Sequence, residues 1–134
     1  MAARPGHRVH PGGWKFFASL TARLLEWAEH DFRLSRPKAD GPTLRDAYAS
    51  FKRQSGFPHP KDKGDVECPD EAVYLLNWFW EMSMGRTVTE KGCNPLSPRD
   101  ITDWCGMRNI RLRQWEVTAI IGLEMKFRKV MGEP

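Results

Sequence analysis

The chain has 134 residues, 40% hydrophobic and 28% charged, with 21 Lys plus Arg against 17 Asp plus Glu and a net charge of +4. That is about one domain's worth of ordinary globular composition, which excludes a collagenous or disordered chain, and six Trp is a heavy aromatic load for the length. The basic excess is dispersed, since residues 1 to 40 carry seven basic and four acidic side chains, 41 to 92 seven and eight, and 93 to 134 seven and five, which gives only weak support to nucleic-acid binding, since that needs several phosphates neutralised along one face.

In chain order, residues 1 to 13 hold Pro5, Gly6, Pro11, Gly12 and Gly13 and read as a flexible tail. The absence of an acid before Glu26 resembles a mitochondrial presequence on composition. However, Phe17, Leu20, Leu24, Ala28 and Phe32 continue at helical spacing, which predicts a structural amphipathic helix from Trp14 to Leu34. Thr43 and Asp46 make a capping box for a second helix with the apolar stripe Leu44, Ala47, Tyr48 and Phe51, ended by Gly56. Residues 14 to 56 are thus an N-terminal helical pair, and the Pro- and charge-rich 57 to 68 is a loop.

Residues 69 to 131 read as a three-helix region of the same domain. Pro69, Asp70 and Glu71 suit the start of a helix whose end is marked by Gly85. That helix is apolar nearly all round: Val73, Leu76, Phe79 and Trp80 on one face, and Tyr74, Leu75, Trp78 and Met82 over much of the rest. It must be buried on several sides or keep one side for docking. Tyr74, Trp78, Trp80, Met82 and Met84 are therefore the candidate partner-binding residues, with the methionines adaptable contacts for a partner helix. After a polar loop at 86 to 94, Ser97, Pro98 and Asp100 open a fourth helix with Ile101, Trp104 and Cys105 inward. The last helix runs from Arg113 to Met131, with Trp115, Ala119, Ile120, Leu123 and Phe127 at helical spacing. No segment reads as strand. The expectation is an all-α, single-domain bundle of about four helices.

Chemistry finds little support. Cys68, Cys93 and Cys105 are separated by 24 and 11 residues, which is no short zinc spacing even with His59 as a fourth ligand, so reduced thiols and no metal or cofactor are expected. The four histidines lie beside no nucleophile pattern or glycine-rich phosphate cradle, which argues against an enzyme. No apolar run is long enough to span a bilayer. Residues 94 to 121 raise a helix-turn-helix as an alternative, with Arg108, Arg111, Arg113 and Gln114 reaching for DNA. Trp115, Glu116 and Val117 follow at once and favour an anchored helical hairpin.

The ordered set "ECPDEAVYLLNWFWEMSMGR", "NPLSPRDITDW" and "LRQWEVTAIIGLEMKF" resembles the tail assembly chaperones of long-tailed, siphovirus-like bacteriophages. They share an aromatic helix with a following Arg, an "NPI"-like step into a "DI..W" helix, and a final helix opened by a Leu and a "WE" pair. Ser97, Asp100, Trp104, Trp115 and Glu116 carry that pattern as cap, turn and packing residues. Gln114 departs from it, standing where relatives often have Pro. The resemblance covers residues 66 to 128. It implies a factor of the host bacterial cytoplasm, absent from the mature virion, that binds the tape measure protein, and in some settings the tail tube protein or further copies of itself, and keeps the former soluble for tube polymerisation. A DNA-binding or packaging accessory and a structural tail or connector subunit are the alternatives.

Overall fold

The computed structural model describes residues 13–36, 41–62, 67–90 and 92–133. The expected flexible tail lies outside the described residues except for Gly13, which begins the first helix, and so does part of the 57 to 68 loop. Among the described residues there are five α-helices: α1 (Gly13–Ser35), α2 (Leu44–Ser55), α3 (Val73–Ser83, led in by a 3-10 turn over Asp70–Ala72), α4 (Pro98–Arg108) and α5 (Gln114–Met131).

The core is built by α1, α3, α4 and α5. Leu20, Leu24, Ala28 and Phe32 line the inner stripe of α1, meeting Leu75, Leu76, Phe79 and Met82 of α3 and Ala119, Ile120 and Leu123 of α5. Full burial of each large apolar side chain contributes about 1.5–3 kcal/mol. The helices α1 and α5 run parallel: Phe17 stacks on Trp115 at a centroid distance of 4.6 Å, Leu25 faces Gly122, and Arg33 pairs with Glu133 at 2.8 Å. Close approach is set by Gly122, where a Cβ would stand 2.7 Å from Leu25 Cδ1.

The fifth helix is α2, which lies outside this bundle. None of its residues is buried, although its capping box forms as expected, with the Asp46 N–H donating to Thr43 Oγ1 and the Thr43 N–H to the Asp46 carboxylate. It is tied to α1 through Arg45, whose guanidinium reaches Asp31 at 2.5 Å, and its apolar stripe is met only in part, by His59 against Tyr48 and Phe51.

The expectation of no strand is corrected by a small antiparallel hairpin, β1 (Val88–Thr89) with β2 (Gly92–Cys93). Two β-branched residues favour the extended backbone. Gly92, at φ 117°, takes a conformation other residues avoid, and the Thr89 hydroxyl closes the turn by donating to the Gly92 carbonyl at 3.0 Å.

Candidate docking surface

The surface around α3 rests on a buried polar lock. Arg86, just past α3, is 3% exposed in its side chain and pairs with Glu124 of α5, 11% exposed. Arg86 Nη1 donates to Glu124 Oε2 at 2.9 Å and to the Asn94 carbonyl at 3.2 Å, and Nη2 donates to Glu124 Oε1 and to Ser83 Oγ. The Leu96 N–H donates to the same carboxylate at 2.8 Å. The guanidinium carbon lies 4.6 Å from the Phe127 ring centroid. Together these join the end of α3, the segment leading into α4, and α5. Arg128 adds a bond to the Cys93 carbonyl at 2.5 Å.

A second polar tie holds the start of α3. The Tyr74 hydroxyl donates to Glu116 Oε2 at 2.7 Å, while Oε1 of the same carboxylate accepts the Arg113 N–H at 2.7 Å and caps α5. Burial, and then the bond to Glu116, push the Tyr74 hydroxyl well above its ordinary pKa.

The five candidate docking residues divide between two sides of α3. Tyr74 and Trp78 are half-buried in an aromatic row, with Trp78 against Tyr74 and against Trp104 of α4. Met82 is buried. Trp80 points the other way, edge-on to Phe32 and Phe127, yet stays 40% exposed. Met84 is 87% exposed. Of the pattern residues, Ser97 and Asp100 form their capping box, with bonds of 3.1 and 2.8 Å between side chain and backbone, and donation from the Ser97 backbone holds the Asp100 carboxyl below its ordinary pKa. Trp104 is buried under Trp78, Trp115 stacks on Phe17, and Glu116 is buried.

Sequence reasoning did not place an open groove of about 480 Å³ between the end of α3 and α4. Met82 and Trp104 line it as buried residues, and Met84 and Met107 as exposed ones. Its rim carries Glu81, Asp100, Asp103 and Arg108, of which Arg108 pairs with Glu81 at 2.5 Å and lies 5.6 Å from the Trp104 ring centroid. The sequence signal was available: Asp100, Asp103, Trp104 and Met107 recur at helical spacing.

The helix-turn-helix alternative finds a different geometry. Arg111, Arg113 and Gln114 are exposed, but Trp115 and Glu116 turn inward against α1 and α3, so the start of α5 is an anchor point. Among the described residues no group of three His, Cys, Asp or Glu side chains could hold a metal ion, and no helix is long and apolar enough to cross a membrane.

No curated protein matches the chain, and no solved structure does. The model of one family matches residues 52–129, from the last turn of α2 through most of α5, and so takes in the polar lock, the groove and every candidate docking residue. On that match the chain belongs to the phage tail assembly chaperone family.

Proposed function

We propose that this chaperone binds the tape measure protein of its phage and keeps that long helical protein soluble until tail tube subunits polymerise round it. The observation that carries the reading is apolar surface held in water on a locked scaffold: Met84 at 87%, Met107 at 77% and Trp80 at 40% exposure flank an α3 otherwise fixed by Arg86, Glu124 and the Tyr74–Glu116 bond. Met84 and Met107, exposed together at the α3–α4 groove, suit a binding surface. In this reading the docking set has two parts. Met84 touches the partner at the α3–α4 groove, Trp80 offers a second exposed edge on the α1 side of α3, and Tyr74, Trp78 and Met82 shape the surface beneath. The protein acts in the host cytoplasm, is absent from the finished particle, and has the tail tube protein or further copies of itself as secondary partners.

Co-expression with the tape measure protein of the same genome is the test. A soluble complex recovered through a tag on the chaperone, with the tape measure protein insoluble when expressed alone, is the expected result. No complex and equal insolubility in both cases would overturn the proposal, and stoichiometric recovery of the chain in purified virions would favour a structural tail subunit.

A further inference from the structure

We infer that the groove between α3 and α4 takes one amphipathic helix with a basic flank, docked through a short apolar stripe, with Met84 and Met107 as adaptable jaws and Asp100 and Asp103 as the selecting charges. The inference rests on the chaperone reading for the owner of that helix, a segment of the tape measure protein, and adds which kind of segment is chosen.

The shape of the groove argues for a helix. Eight helical steps from Asp100 to Arg108 give a wall of about 12 Å, the length of roughly two helical turns. Such an occupant would present apolar side chains at i, i+3 or i+4, and i+7. The buried floor of Met82 and Trp104 keeps its shape, while Met84 and Met107 stand in water. Methionine is unbranched and polarizable, so two of them can close over ridges of differing shape. A binder of many segments along one long helical partner needs that tolerance.

Charge decides which helices enter. Glu81 is neutralised by Arg108, which is itself held over Trp104. Asp100 stays exposed while capping α4, and Asp103 is exposed with no ion pair among the described residues. The rim is therefore net negative, and it attracts lysine or arginine flanking an apolar stripe and repels an acidic flank. Those carboxylates lie at the edge, where they set the association rate and which flank is tolerated, so reversing one adds repulsion as well as removing attraction.

The test uses the full chain with two variants at exposed positions, the pair Met84→Ser with Met107→Ser, and Asp103→Lys. Two synthetic helical peptides of identical pattern serve as probes, one with leucines at i, i+3, i+4 and i+7 among lysines, the other with glutamates in place of the lysines. The lysine probe should bind the unmodified chain, each variant should weaken it about tenfold or more, and the glutamate probe should not bind. Melting temperatures of both variants should stay within about 3 °C of the unmodified chain. Both variants should also lose the tape measure protein in co-expression.

Equal binding of the two probes, or no binding of the lysine probe, overturns the inference. Capture of the tape measure protein by both variants overturns the groove as its site while leaving the proposed function intact. Lysine-probe binding that responds to the variants, with no capture of the tape measure protein even by the unmodified chain, supports the groove and removes the proposed function. A light-scattering mass that falls from dimer to monomer in the variants makes the occupant a second copy and also overturns the inference.

Discussion

Replacing Arg86 by Met tests whether the buried ion pair holds the domain together. The substitution keeps an unbranched apolar stem against Phe79 and Phe127 and removes the guanidinium. Glu124 is then left 11% exposed with the Leu96 N–H as its remaining donor, and the Asn94 carbonyl and Ser83 hydroxyl each lose a bond. Breaking one side of a buried pair costs about 3–5 kcal/mol, because the surviving charge stays out of water. At roughly 4 °C per kcal/mol for a domain of this size, the melting temperature should fall by about 12–20 °C. Adding Glu124→Leu removes the stranded charge and orphans only the Leu96 N–H, a penalty of about 1–3 kcal/mol that new apolar burial partly offsets. The double variant should therefore be more stable than Arg86→Met alone. Urea titrations followed by circular dichroism supply both free energies. A loss below about 1 kcal/mol for Arg86→Met, the scale of an exposed pair, or a double variant weaker than the single, would refute the buried-lock reasoning.

Gly122→Ala should destabilise by about 1 kcal/mol or less, because overpacking against Leu25 is opposed by the better helix propensity of Ala; in a Leu25→Ala background the same change should become stabilising, and an equal effect in both backgrounds would show that Gly122 does not set the α1–α5 distance. Acid should loosen that helix pair. The Lys129 and Lys126 ammonium groups depress the Glu29 pKa, Lys129 foremost, so this contribution is complete above the ordinary glutamate range and is lost as pH falls through the lowered folded value; Glu29→Gln should flatten the melting temperature against pH below about 4, and an unchanged slope would dismiss the contact. Electrophoretic mobility of duplex DNA at low salt should not change on adding the chain, since Trp115 and Glu116 commit the start of α5 to the core; a shift at low salt that weakens steeply with added salt would revive the DNA reading.

Much of the architecture was legible because it is written in local chemistry. Thr43 with Asp46, and Ser97 with Asp100, announce their helices through side chains that satisfy nearby backbone amides, and both capping boxes form. The α1 stripe from Leu20 to Phe32 and the α5 stripe through Ala119, Ile120 and Leu123 are buried as their spacing requires. What escaped depends on distant partners. An apolar stripe on α2 says that a face could be covered, and here little covers it. Nothing local to Arg86 names Glu124, 38 residues away. A sign was present in α5, where Glu116 and Glu124 fall among core residues at helical spacing, since a carboxylate on an inward face needs a buried partner. The excess of apolar residues on α3 was legible, but spacing alone could not say that Trp78 meets α4 while Trp80 meets α1, because that is settled only by the packing.

The parallel pairing of α1 with α5 also fixes an order of events at the ribosome. Its ties join residues 97 to 100 positions apart, from Glu29 with Lys126 to Arg33 with Glu133. At translation rates of about 5–20 residues per second, the first helix waits roughly 5–20 s for its partner to be made. During that time Leu20, Leu24 and Phe32 have no α5 to cover them. Closure of the domain therefore waits for α5 and has a long loop to shut, so the leading helix passes through an interval in which its own apolar stripe is unshielded.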